Sequence, residues 1–544
     1  VARRLAQRLG FVYVDTGANA ALQDKDVLGA MIDAGENVAI GVQITVDESN
    51  PLLPRASVVT DPDSVLFGDL VAGEAMNLIG LDINAGGWVL LNANLEIDGT
   101  HVTAVGDIDA NAGTGIVNTS LVSVAGNIWA TTLLGDIVDS SFVTKSDTGT
   151  ITLEALDDDG ELDGDEVVSG AKVIAHAGGY IVDGLYVSKT SDVELTTDNG
   201  SIDGTTVVVK DLDESGDNYA DLDSGDNIVG VTGDVKGYAV LVAENEIDAT
   251  DMLATGDVTA TADTYIVAGA FISETGDVTL TAGADSPDTQ TGSITGTTAE
   301  AKIGNVVATA DLDIDGVTID AGQSATLTAG DDIAGAAVNA GTDAELTAHT
   351  DIQGGNVNAG EDATLTALTG DIDGVTALGG QVVKATANQS VTNASFTSQT
   401  STVDVTALAV DVNNTDVVAN QKATVTAEED VIGSSVVSEA ADVAVWAKTG
   451  SVSATDADAK TKVDYLAHVD IVGGSQKSGA ESVLKAETGS IQGSNTKAGT
   501  FATLNANQDI DAASVLANTY VTATAGQSVT NASFTSQTST VDVT

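Results

Sequence analysis

Apolar and polar residues alternate in short runs along most of this chain. In the stretch ATLTAGDDIAGAAVNAG, beginning at Ala325, the residues Ala325, Leu327 and Ala329 point one way and Thr326 and Thr328 the other. The same alternation recurs at Val403, Val405 and Ala407, and at Val443, Val445 and Ala447. A period of two predicts half-buried strands. Gly and Asp/Asn clusters between the runs supply turns. A helical reading fails because Thr, Val and Gly dominate and no 3.6-residue stripe of useful length occurs.

The runs repeat. Leu327, Leu346 and Leu365 are 19 residues apart, Ile333, Ile352 and Ile372 follow at 19 and 20, and Gly335, Gly354 and Gly374 keep step two residues behind. The Ile position continues through Val391, Val412, Val431, Val452, Ile471, Ile491, Ile510 and Val529. Upstream it falls at Ile314, Ile294, Ile266, Ile247, Ile228, Ile202, Ile181, Leu162, Ile137, Ile116 and Ile97. Self-similarity at this period indicates a solenoid, whose coils bury their inner faces only by stacking. Three short strands and three turns fit one coil, so the expected fold is an all-β parallel β-solenoid of about 22 coils, roughly 105 Å long at the strand spacing. Crossover handedness favours a right-handed β-helix.

Three steps exceed the period, predicting insertions near 144–158, 210–226 and 283–292 within a solenoid spanning 66–544. Residues 1–65 differ: they hold all four arginines and three of the four prolines, and read as an atypical amino-terminal segment or cap for the first coil's open edge. A longer repeat overlies the short one, because QSVTNASFTSQTSTVDVT occurs at 389–406 and again at 527–544, an offset of 138 residues. That identity, still running at the last residue, and a first residue that is not Met lead us to expect a segment of a longer array.

Composition narrows the core and the partners. Apolar residues make up 42% but aromatics only 3%, so Ala, Val, Ile and Leu must fill the interior. A net charge of −62 argues against a nucleic-acid partner, since polyphosphate would be repelled. No apolar run is long enough to span a membrane, and the absence of cysteine excludes a disulfide framework or a thiolate metal site.

Catalysis has little to draw on. The four histidines (His101, His176, His349 and His468) are far apart, and no arginine follows Arg55 to hold an acidic sugar. The expectation is therefore no enzyme. Acidic residues are the conspicuous polar feature. One recurs just before the Ile position, as Asp313, Asp332, Asp351, Asp371, Asp430, Asp470 and Asp509, with Ser390, Ser451, Ser490 and Ser528 in alternation. Each either accepts a turn N–H, as Asx and Ser turns do, or joins a ladder that holds Ca²⁺. Two insertions are denser still. Asp157, Asp159, Glu161, Asp163 and Asp165 form one cluster; Asp213, Asp217, Asp221, Asp223 and Asp226 form the other. Closely spaced carboxylates in Gly-containing loops suit a calcium ion that takes six to eight oxygens. Neither cluster completes an EF-hand, and solvated acidic loops are the competing reading.

The unit ATLTAxxDIxGxxVxAGxD resembles the haemagglutinin repeats of filamentous haemagglutinin-type adhesins in its length, its L-T-A strand, its D-I-x-G turn and the A-G-x-D that leads onward. The resemblance is close over 314–385 and traceable across most of 97–544. It implies a right-handed parallel β-helix, export to the bacterial cell surface, and adhesion or fibre formation. Heavy acidic charge and the insertions depart from that family. Separately, residues 1–18, VARRLAQRLGFVYVDTGA, resemble the part of cytidylate kinases that follows the phosphate-binding loop; the match stops at Asn19 and the family's Gly-rich loop has no counterpart. The expected role is structural: a rod segment of a giant surface adhesin, surface layer or filament, self-associating into fibres or an array. The alternatives are a glycan- or receptor-binding module and, behind it, a carbohydrate-active β-helix.

Overall fold

The computed structural model describes residues 30–33, 42–47, 55–60, 69–80, 82–210, 218–283 and 291–544. The region 1–18 and the tips of the second and third insertions, 211–217 and 284–290, lie outside the described residues. Every regular element described is a β-strand, and the chain forms a parallel β-solenoid of about 23 turns, one more than the repeat count predicts.

One coil shows how the sequence makes the fold. Ala325–Ala329 is the long strand, Ile333–Ala334 a short one, and Ala337–Ala340 the third. Ala325, Leu327, Ala329, Ile333, Val338 and Ala340 are buried, while Thr328, Ala337 and Asn339 are exposed. The next coil repeats this in register: Leu327 pairs with Leu346, Ile333 with Ile352, and Val338 with Val357, all parallel. Three ladders therefore enclose one aliphatic core.

Each corner has its own chemistry. Two residues after the Ile position the backbone turns left-handed, at Gly335 (φ 60°), Gly354 (φ 62°) and Gly374 (φ 68°). This explains why that site favours glycine or asparagine, the residues that enter the left-handed region most readily. Gly330, at the turn out of this long strand, meets a different constraint, although the equivalent positions of the next coils carry His349 and Leu368. A Cβ on Gly330 would lie 2.0 Å from the carbonyl oxygen of Asp311 in the coil below.

Two compact units divide the chain: Val1–Asp263 with Val267–Glu274, and Thr264–Ile266 with Thr275–Thr544. In the first, Ala30–Asp33 runs antiparallel to Asp69–Ile79, and Val42–Asp47 runs antiparallel to Arg55–Thr60, which meets the next coil at Val59 and Asp82. Strands thus flank the first coil where the sequence suggested a cap. The segment 144–158 contains Ile151–Ala155, a regular rung paired with Ile128–Thr132, so its extra length falls on either side of that strand. Among the described residues of the second unit the rungs run parallel, through to Val521 and Val541.

In many coils the core trades volume between two strands. There the middle inward residue of the long strand and that of the third strand vary in opposite senses, although Leu241 with Met252 and Tyr465 with Gln476 do not follow this. Leu346 accompanies Val357 and Leu365 accompanies Ala377, but Ala385 accompanies Phe396. In the first unit Ala130 goes with Phe142, Ala175 with Tyr186, and Leu195 with Val207. All of these side chains are at most 1% exposed, as close packing of a fixed cross-section demands.

Candidate functional site

The acid before the Ile position forms a ladder, but of hydrogen bonds. Asp313 Oδ1 accepts the backbone N–H of Asp332 at 3.2 Å, Asp332 that of Asp351 at 2.8 Å, Asp351 that of Asp371 at 2.7 Å, and Asp371 that of Ser390 at 2.6 Å. Farther on, Asp430 accepts from Ser451 at 2.6 Å and Ser451 Oγ from Asp470 at 3.2 Å. The acceptor role expected of an Asx or Ser turn is present, but the donor is the equivalent residue one coil on rather than the residue's own turn. A second ladder just before the long strand works the same way, with Asp343 accepting from Asp362 at 3.1 Å and Asp362 from Val382 at 2.9 Å. The corner amides, which no strand pairs, are thereby satisfied. Sequence reading saw the first ladder and missed the second, although Asp343 and Asp362 repeat at the same 19-residue period.

The acidic residues of the first cluster lie within one coil, between Ile151–Ala155 and Glu166–Ser169, and meet Asp136, Asp139 and Asp183 of the neighbouring coils. Asp157 and Gly160 close a turn through Gly160 N–H to the Asp157 carbonyl at 2.9 Å. Glu161 N–H donates to Asp136 Oδ1 at 2.9 Å. Burial raises the Glu161 carboxyl above its ordinary range, and Asp136, Asp163 and Asp159 add to the shift. Asp163 is raised likewise, by burial first and then by Asp139, Asp183 and Asp136. This is a crowded acidic face. Among the described residues no three acidic or histidine side chains converge closely enough to hold a metal ion.

Asp165 is different, because it points inward. It sits where other coils place Thr or Ser: Thr119 Oγ1 donates to the Val117 carbonyl at 3.0 Å and Ser140 Oγ to the Val138 carbonyl at 2.9 Å. Asp165 Oδ1 accepts the Ser140 N–H at 2.9 Å, while Oδ2 is buried without a hydrogen-bond partner, as is the hydroxyl of the nearby Tyr186. Burial drives the Asp165 carboxyl well above the carboxylate range, and the phenol of Tyr186 is raised by burial and by the Asp165 charge.

In the second cluster Asp213 and Asp217 lie outside the described residues. Asp221 and Asp223 lie on the outer face of Tyr219–Ser224. Burial raises Asp221, Glu194 and Asp223 reinforce the shift, and Lys172 opposes it. Asp226 is engaged structurally: Oδ2 accepts from Ser201 Oγ at 3.2 Å and Asn227 Nδ2 at 2.9 Å, and Oδ1 from Asn245 Nδ2 at 3.3 Å.

Residue pairing outside these clusters was not legible in the sequence. On the outer edge of the long strands, Tyr219 and Tyr238 stack with centroids 5.2 Å apart, and Phe501 and Tyr520 with centroids 5.5 Å apart. Beside the second pair lies a cleft of about 270 Å³ lined by Glu481, Val483, Phe501, Thr503, Tyr520 and Thr522. Aromatics 19 residues apart were the available signal.

Comparison with protein families, curated proteins and solved structures gives no match to this chain. The parallel β-solenoid is compatible with β-helix repeat adhesins. No helix among the described residues is long and apolar enough to cross a membrane.

Proposed function

We propose that this chain is a non-catalytic structural element of a bacterial cell surface, built on haemagglutinin-type repeats and serving within an adhesin, surface layer or filament. The observation that carries the reading is the disposition of polar side chains. The Asp, Ser and Thr of the corners are committed to coil-to-coil hydrogen bonds, from Asp313 through Ser390 in one unbroken series. Groups spent in that way stabilise a stack; they are not presented to a substrate. Electron microscopy of the native material tests the role. Regular fibres or a lattice are expected, and dispersed single molecules would refute it.

Calcium belongs to the same reading as a bridge between molecules. Glu161 and Asp163, raised by burial first and then by neighbouring acids, lie on a face where like charges crowd, and divalent cations relieve such crowding by screening and bridging. Millimolar Ca²⁺ should promote association measured by sedimentation, reversed by a chelator, whereas equal ionic strength from a monovalent salt should not. Identical sedimentation in all three conditions removes calcium from the account.

A further inference from the structure

The two stacked aromatic pairs lie in the same column of the coil, one residue before the long strand's first buried position, and each follows the same order. In the first unit the column reads Lys172, Asp192, Tyr219, Tyr238, and in the second Lys462, Glu481, Phe501, Tyr520. A lysine and an acid thus precede two stacked rings in both.

The surroundings differ at two outward positions: Ile174 and Glu194 of the first unit stand where the second has Asp464 and Val483. Lys172 reaches across the intervening coil: its Nζ pairs with Glu194 and lies 5.9 Å from the centroid of the Tyr219 ring. Tyr219 in turn donates its hydroxyl to Glu194. The chain's own ammonium therefore occupies a pocket made of a carboxylate and an aromatic face. Lys462 does not make this reach. The outward position on its own strand is Asp464, where the first unit has Ile174, and Lys462 Nζ pairs with Asp464 Oδ2 at 2.9 Å. Glu481 has no ion pair among the described residues, Phe501 is 39% and Tyr520 45% exposed, and the cleft beside them stays open.

We propose that the cleft of Glu481, Phe501 and Tyr520 binds an alkylammonium group, with Glu481, in the column position of Asp192, supplying the carboxylate that Glu194 gives to Lys172 beside the Tyr219 ring. A carboxylate beside a ring face suits an ammonium better than a neutral ligand, since the ring quadrupole and the charge act in the same sense. The threonines Thr503 and Thr522 add hydroxyl acceptors to the cleft. The ammonium comes either from a free polyamine or from a lysine side chain of a partner protein.

Calorimetric titration of the full chain at physiological salt tests this, with spermidine as one probe and a short lysine-containing peptide, alongside its acetyl-lysine counterpart, as the other. One saturable site per chain is expected. A response to spermidine alone assigns the polyamine; a response to the lysine peptide that its acetylated form lacks assigns the side chain. Phe501→Ala should weaken binding about five-fold or more, and Glu481→Gln should weaken it similarly, while Glu361→Gln, an equal loss of charge elsewhere, leaves it unchanged. Asp464→Ile should release Lys462 to fill the cleft and abolish the site. Lys172→Ala should open the first unit's pocket and raise the stoichiometry from one to two. No saturable binding of either probe, or binding that Phe501→Ala and Glu481→Gln leave intact, overturns the proposal.

Discussion

Gly330 and Gly335, within one coil, avoid two different costs. At Gly335 an added Cβ meets nothing closer than 3.8 Å, so only the left-handed φ of 60° penalises a side chain there. At Gly330 the added Cβ would strike a carbonyl oxygen at 2.0 Å, and the stack itself would have to open. Gly335→Ala should therefore cost about 1 kcal/mol, while Gly330→Ala should cost several-fold more, by local hydrogen-exchange protection of the adjoining coils. The reverse change is informative too. Ala454 (φ 49°) and Ala512 (φ 54°) already occupy the left-handed corner, so Ala454→Gly and Ala512→Gly should each be neutral or stabilise by up to about 1 kcal/mol, as relief of strain offsets the added chain entropy. Asp165 poses the corresponding question for charge. Asp165→Asn keeps an acceptor for the Ser140 N–H and supplies the donor that Thr and Ser provide in other coils; it should leave the melting temperature unchanged or higher at neutral pH. Asp165→Ala orphans that N–H and should cost about 1–3 kcal/mol. Equal melting temperatures for the two variants would remove Asp165 from its assigned place.

At the scale of the strand, the reciprocal core pairs show what the sequence disclosed and what it withheld. Alternation at Ala325, Leu327 and Ala329 gave the buried face directly, because period two has one physical cause. The partner across the core was not visible, since pairing Ala385 with Phe396 depends on two strands meeting around a corner rather than on local spacing. Once the cross-section is known, the rule is readable in sequence: small in one strand, large in the other. It predicts that Ala385→Leu overpacks the coil and costs about 1–3 kcal/mol, that Phe396→Val leaves a cavity costing about 2–4 kcal/mol, and that the double variant recovers most of the loss, reproducing the Leu346 and Val357 arrangement. Additive losses in a double-mutant cycle would show that these side chains do not share one volume. The acidic clusters were harder to read for the same reason. Asp157 to Asp165 are neighbours in sequence, yet the coil sends Asp165 inward and Glu161 and Asp163 outward, so proximity along the chain did not translate into a common binding site.

For the whole molecule, 81 acidic residues against 19 basic ones make protons a stabilising ligand. Glu161, Asp163 and Asp332 are raised above the ordinary carboxylate range, each by burial first and then by neighbouring acids. A raised carboxyl binds more protons folded than unfolded between its unfolded and folded values. Stability therefore falls as pH rises through that window and is regained as pH is lowered toward about 4. Groups of the opposite kind act elsewhere: Asp511 is lowered by the hydroxyl of Thr530 and the amide of Asn531, and Glu487 by Lys485 and His468. Their contribution is lost only as pH falls below the ordinary carboxylate range, so the two sets do not cancel at mild acidity. The melting temperature should accordingly rise as pH is lowered from 7 toward the ordinary carboxylate range, and raising the monovalent salt concentration at pH 7 should move it the same way by screening repulsion among the remaining carboxylates. The pH dependence should be shallower in Asp165→Asn, because Asp165 is the most deeply buried of the raised acids. A melting temperature that is flat or falls all the way from pH 7 to the ordinary carboxylate range would mean that the acidic corners are held by compensating bonds and carry no electrostatic cost.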